Sequence, residues 1–162
     1  MISLNFFRGE EPVDNFDSVE DILDFAIAEE MMAKDFYQSL AKGARNPVMR
    51  EVFEQFAAEE LNHRAILEDI KAGDLVLPAE KIEDMKLAEI TDAVAPRPDM
   101  SYQDLLVVAM KKEKQAFLLY NLLAKLWDDP KTRETFLMLA QEEAKHKLRF
   151  ETEYDDVVLK ED

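Results

Sequence analysis

The chain contains two histidines, His63 and His146, and each follows a glutamate by three residues: Glu60 in AAEELNHRAIL (57–67) and Glu143 in LAQEEAKHKLRF (139–150). On a helix that spacing puts a carboxylate and an imidazole on one face, one turn apart, where the two can grip a divalent cation. There is no cysteine, which excludes thiolate catalysis, disulfides, cysteine-ligated zinc and iron–sulfur clusters within these residues. A metal here would have to use carboxylate and imidazole. No nucleophilic serine arrangement, phosphate-binding glycine loop or basic patch offers a competing chemistry.

Register decides which way the pairs point. Phe53, Phe56, Glu60, His63, Leu67 and Ile70 follow a 3-4-3-4-3 spacing, and Phe136, Leu139, Glu143, His146 and Phe150 repeat it. Each pair therefore interrupts an apolar seam that faces an interior. Two further stripes carry one carboxylate each at mid-helix: Ile22, Ala26, Glu30, Ala33, Tyr37, Leu40, and Leu105, Ala109, Glu113, Ala116, Tyr120, Leu123. Four glutamates in an apolar core would take up protons unless cations neutralised them. Two divalent ions balance four carboxylates, and at +3 each a single oxo bridge restores neutrality. Carboxylate with imidazole suits iron, manganese and, less specifically, zinc.

The elements that must position these groups read as helices throughout, because only three glycines and six prolines punctuate long stretches of 3.6-residue periodicity. The pattern predicts helices from about Ser18 to Lys42, from Pro47 to Ala72, from Ser101 to about Trp127, and from Pro130 to near Tyr154. The connection 73–100, with a short helix expected in AEKIEDMKLAEI (79–90), is long enough to run the length of a helix bundle, roughly 37 Å for a 25-residue helix. Residues 18–70 align without a gap on 101–153 at an offset of 83, with 19 of 53 positions identical. The expectation is one all-α domain over 1–162: an N-terminal segment 1–17, a hairpin 18–72, a crossover 73–100 and a second hairpin 101–155. A duplicated hairpin folds into a four-helix bundle with a pseudo-two-fold axis, and whatever sits near that axis is built twice.

Composition narrows the partners. At 162 residues and 48% hydrophobic, the chain is of single-domain size. Its formal charge of -16 repels phosphate backbones and anionic lipid, so neither nucleic acid nor a membrane surface is expected as a partner. MISLNFFRGEEP lacks the cationic start and apolar run of a signal peptide, and no run of about 18 apolar residues occurs, so a cytoplasmic location is expected.

One glutamate from each of two helices and a Glu-x-x-His pair from each of the other two resembles the ferritin-like di-iron and di-manganese carboxylate proteins. More narrowly, AIAEEMMAKDFYQSLA and AMKKEKQAFLLYNLLA resemble the glutamate helices of a rubrerythrin-type erythrin domain, and FAAEELNHRAIL and LAQEEAKHKLRF its Glu-x-x-His helices. The resemblance covers Ser18 to Glu153. It implies Glu30, Glu60, His63, Glu113, Glu143 and His146 as ligands of two iron ions, for which manganese or zinc can substitute, with Glu60 and Glu143 bridging. It also implies an oxidoreductase of the oxidative-stress type reducing H2O2 or O2; the alternative is an iron-binding, ferroxidase or storage-linked protein without repeated turnover. Full rubrerythrins carry a rubredoxin-like domain whose iron is held by cysteines alone, and this chain has no cysteine, so an external electron donor such as a rubredoxin is expected. Typical members also place a further glutamate one turn after the third-helix ligand, where this sequence has Ala116, matching Ala33; the expected site is symmetric with six protein ligands. A homo-oligomer, a dimer, is expected.

Other residues have two readings each. Tyr37 and Tyr120 follow Glu30 and Glu113 by two turns and either hydrogen-bond a ligand carboxylate or serve as core tyrosines. Glu59 and Glu142 point about 100° away from the ligands, as surface or inter-subunit charges. Met31, Met32, Met49, Met110 and Met138 read as packing. Phe6, Phe7 and Phe16 either pack on a partner subunit or belong to a frayed tail.

Overall fold

Each helix begins at a side chain that satisfies its first free N–H groups. The computed structural model describes residues 16–73 and 95–161 and forms α1 (Val19–Gly43), α2 (Pro47–Lys71), α3 (Tyr102–Ala124) and α4 (Pro130–Glu161). Ser18 Oγ accepts from the Asp21 amide at 3.1 Å, and Ser101 Oγ accepts from the Asp104 amide at 3.1 Å while Asp104 Oδ2 accepts from the Ser101 amide at 3.0 Å. The latter is a complete capping box. Asn46 Oδ1 accepts from the Val48 amide at 2.9 Å, and Asp129 Oδ2 accepts from the Thr132 amide at 2.9 Å, each just before a proline at the first helical position. These caps occupy equivalent positions at the 83-residue offset, so the duplication extends to the signals that start the helices.

The helix ends differ from expectation in two places. α3 stops at Ala124, short of Trp127: the Lys125 and Leu126 amides bond three residues back, to Leu122 and Leu123 oxygens at 3.1 and 3.0 Å, and this tighter turn buries Leu126 and Trp127. α4 does not fade near Tyr154 but continues to Glu161, because DDVVLKE contains no glycine or proline and Val157 and Val158 remain half-buried. The short helix expected in 79–90, and Phe6 and Phe7, lie outside the described residues.

Among the described residues there is no strand. They form two compact units, one holding residues 16–73 and the other 95–161. In the first, α1 packs on α2 around Ile22, Leu23, Phe36, Leu40, Met49, Phe53 and Leu67; in the second, α3 packs on α4 around Leu106, Leu119, Phe136, Leu139 and Phe150. The all-α hairpin pairs expected from the periodicity are what forms. Each turn is held by the same device. Arg50 Nη2 donates to the Ala44 carbonyl at 3.0 Å, and its repeat partner Arg133 donates to the Trp127 carbonyl through Nη2 at 2.9 Å and Nε at 3.2 Å. An arginine in the first turn of the second helix thus reaches back six residues to satisfy a carbonyl that the end of the first helix leaves free.

Candidate metal centre

Glu30 stands at the middle of α1, with Glu60 and His63 one turn apart on α2; Glu113 and the pair Glu143 and His146 repeat this on α3 and α4. All six side chains are at most 3% exposed. Of their seams and stripes, only Ala33, Ala116 and Ile70 are partly exposed; the remaining members are buried. The apolar register brings six ionisable groups indoors because the flanking phenylalanines, leucines and alanines cannot be buried without them.

In the first unit His63 Nδ1 lies 3.3 Å from Glu60 Oε2 and 3.6 Å from Glu30 Oε2. In the second, His146 Nδ1 lies 3.5 Å from Glu113 Oε1 and 3.6 Å from Glu143 Oε2. Within each unit the three donor atoms fall within 4.8 Å of one another. Donors held about 2.1 Å from a common ion stand about 3 to 3.5 Å apart, so each triad fits a metal, with Nδ1 the imidazole nitrogen turned toward the carboxylates. The fit is of donor type as well as spacing: two hard carboxylates and one imidazole can hold a divalent first-row ion.

The electrostatics favour the same occupant. Burial pushes the Glu113 carboxyl well above the usual carboxylate range, and the neighbouring Glu143 adds to the push through charge repulsion and a shared hydrogen bond; His146 works the other way. Without a cation this carboxyl holds its proton to higher pH than an ordinary glutamate. A bound ion would displace the proton and supply the missing counter-charge.

Around the ligands, Tyr37 and Tyr120 are fully buried on the stripes of Glu30 and Glu113. The Tyr37 ring meets Phe56 edge-on at 6.3 Å, and Tyr120 stacks on Phe136 at 6.4 Å, with Trp127 tilted against Phe136 at 4.9 Å. Both tyrosines therefore build the aromatic layer two turns from the ligands. Glu59 accepts from Gln55 Nε2 at 2.8 Å on the outer side of α2. Met49 is buried and Met31, Met32 and Met110 are half-buried, whereas Met138 is exposed, so packing accounts for four of the five methionines.

Two features escaped the sequence reading. Tyr102 Oη donates to Glu153 Oε1 at 3.2 Å, joining the first turn of α3 to the buried seam of α4. The signal was present in part: Glu153 continues the seam Phe136, Leu139, Glu143, His146, Phe150 by three residues, an acidic residue at an apolar position. The arginine clamps on the turns are the other; Arg50 and Arg133 aligned in the repeat without any role attached.

The Rubrerythrin family model matches residues 21–94 and 104–162, which contain all six triad residues. Among solved structures, a hypothetical protein from Pyrococcus furiosus is 26% identical, with 85% of this chain and 89% of that one covered and a TM-score of 0.65. A search of curated proteins finds no match. No helix among the described residues is long and apolar enough to cross a membrane.

Proposed function

The chain belongs to the rubrerythrin family, whose fold is the ferritin-like bundle of two helical hairpins, and from that premise we propose that it is a non-haem di-iron protein that reduces hydrogen peroxide or dioxygen. The observation that carries this reading is the twice-built triad of two buried glutamates and a histidine, Glu30, Glu60, His63 and Glu113, Glu143, His146. In this reading each triad would hold one ion of the pair. A bound pair of Fe2+ ions supplies two electrons to an O–O bond.

The chain's own residues do the rest. Two glutamates and one imidazole per ion would hold the metal through carboxylate oxygens and Nδ1, and two carboxylates per ion would balance a divalent charge. The Glu113 carboxyl, whose proton is held more tightly by burial than in an ordinary glutamate, would give that proton up on metal binding. The aliphatic and aromatic seams above and below exclude bulk water. Ala33 and Ala116, one turn beyond Glu30 and Glu113, are the partly exposed positions of the two stripes and the side on which a small oxidant would approach. Electrons come from an external carrier such as a rubredoxin.

The test is metal content per chain after anaerobic loading with Fe2+, followed by H2O2 with a reduced rubredoxin. Two ions per chain and repeated turnover support a peroxide reductase. A single burst of Fe2+ oxidation without turnover replaces it with the ferroxidase or iron-handling reading, and failure to bind two ions removes both.

A further inference from the structure

Glu153 is a buried carboxylate at a position where the fold does not require one. Its repeat partner in the first unit is Ile70, and the partner of Tyr102 is the buried Val19, so the same place in the other hairpin is filled by two aliphatic side chains. Burying a carboxylate and a phenol in place of isoleucine and valine carries a desolvation cost that one hydrogen bond offsets in part. The pair also has a definite position. Along α4, Glu153 stands seven residues past His146 on the same seam, about 10 Å of helix rise, and Tyr102 stands eleven residues before Glu113 on α3, about 16 Å. Tyr102 is half-buried, so part of the residue is open to solvent while its hydroxyl is bonded to the buried Glu153.

A phenol loses an electron readily only if its proton leaves at the same time, because the oxidised phenol is a very strong acid. Tyr102 has a carboxylate oxygen already accepting its hydrogen bond at 3.2 Å. We propose that Tyr102 is a redox-active tyrosine, a one-electron relay between an external donor and the metal centre, with Glu153 as the acceptor of its phenolic proton. The proposal rests on the di-iron reading of the site. In the step H2O2 is the oxidant: of the two electrons that cleave its O–O bond at the metal centre, Tyr102 gives one and the centre the other, and the phenolic proton passes from Oη to Glu153 Oε1, leaving a neutral tyrosyl radical beside a protonated carboxyl. A one-electron carrier at the surface then reduces the radical, and Glu153 returns the proton. Burial and the charge of Glu153 push the phenol's own ionisation up, opposed by Arg149, so the resting residue is the neutral phenol with its proton in place.

The full chain tests this with and without iron. In the metal-free protein, flash-generated Ru(III) tris-bipyridine serves as the one-electron oxidant, and the tyrosyl radical is read by EPR and its sharp absorption band. The wild type and Tyr154→Phe are expected to form the radical with a solvent deuterium effect; Tyr102→Phe loses it, and Glu153→Gln forms less of it, having an amide in place of the proton acceptor. Circular dichroism confirms that each variant is helical. An unchanged radical in Tyr102→Phe, or a Glu153→Gln protein that matches wild type in yield and isotope effect, overturns the proposal. In the iron-loaded protein, excess H2O2 without a reductant is expected to give the same radical after the ferric spectrum appears. A ferric spectrum with no radical at Tyr102 overturns the relay alone, whereas absence of any ferric spectrum overturns the di-iron reading and the relay with it.

Discussion

His63 Nδ1 stands 3.3 Å from Glu60 Oε2, one helical turn away, and Glu30 Oε2 closes the triad from α1 at 3.6 Å. With these groups at most 3% exposed, the triad's purpose can be tested by removing one member. His63→Ala and Glu60→Ala are expected to lower iron stoichiometry below two per chain while leaving the helices formed, measured by metal analysis alongside circular dichroism. In the wild type, metal at a hundred times its dissociation constant raises unfolding free energy by about 2.7 kcal/mol, and more for a second ion. Either variant that keeps two ions and the full metal-dependent rise in melting temperature would remove these residues from the site.

The pH dependence of the metal-free protein follows from Glu113. Its carboxyl is held well above the usual range by burial and by Glu143, whereas in the unfolded chain it titrates normally, at about 4.3. Between those two values the folded state binds more protons than the unfolded one, so stability falls as pH rises. The contribution is complete below the unfolded value and is lost as pH climbs through the folded one. Urea titrations of the metal-free protein from acid to neutral pH are expected to show this decline, and Glu113→Gln, which cannot ionise, should flatten it. Near neutral pH that variant should exceed the metal-free wild type by about 1 to 3 kcal/mol, the range for an uncompensated buried polar group. Iron should reverse the order, because only the carboxylate gains from the ion. A variant less stable than wild type without metal contradicts the assignment of strain to this group.

The ligands were legible because they break a pattern. A glutamate and a histidine inside an apolar seam contradict binary patterning, and the break recurs at the same offset in the second hairpin, which surface charge has no reason to reproduce. The helix starts at Ser18, Pro47, Ser101 and Pro130 were legible for a local reason, since the capping side chains at Ser18, Asn46, Ser101 and Asp129 each act within three residues of themselves. What was not legible depends on contacts between residues far apart in sequence. Tyr102 and Glu153 are 51 positions apart and meet only because α3 and α4 pair in one register. Arg133 follows Pro130 at a position that reads as solvated, and only the tight end of α3 turns the Trp127 carbonyl toward it. The end of α4 was missed because no breaker marks it.

The two turn clamps differ in a measurable way. Arg133 gives two hydrogen bonds to the Trp127 carbonyl and Arg50 gives one to that of Ala44. Both arginines are exposed, so solvent discounts their value, and the expected losses are about 1 to 2 kcal/mol for Arg133→Ala and about 1 kcal/mol or less for Arg50→Ala. For a protein of this size each kcal/mol corresponds to about 2 to 4 °C in melting temperature. Lysine at either position should recover only part of the loss, having no planar fork to share between two bonds. Equal effects from the two alanine variants would mean that the second bond at Trp127 adds nothing.

Access to the ligands should pass beside Ala33 and Ala116. Each lies one turn beyond its stripe's glutamate, and each is partly exposed where its neighbours on the stripe, Ala26 and Tyr37 or Ala109 and Tyr120, are buried. A leucine would add bulk where alanine has one methyl group, and because these positions already reach solvent the larger side chain can turn outward at modest strain, within about 1 to 3 kcal/mol. The double variant Ala33→Leu, Ala116→Leu is therefore expected to bind two iron ions as the wild type does and to keep its helices. Stopped-flow oxidation of the iron-loaded form should slow, and it should slow more for a bulky alkyl hydroperoxide than for H2O2, since a narrowed path discriminates by size. Slowing by the same factor for both oxidants would point to a disturbed metal site instead, and unchanged rates for both would place the path elsewhere.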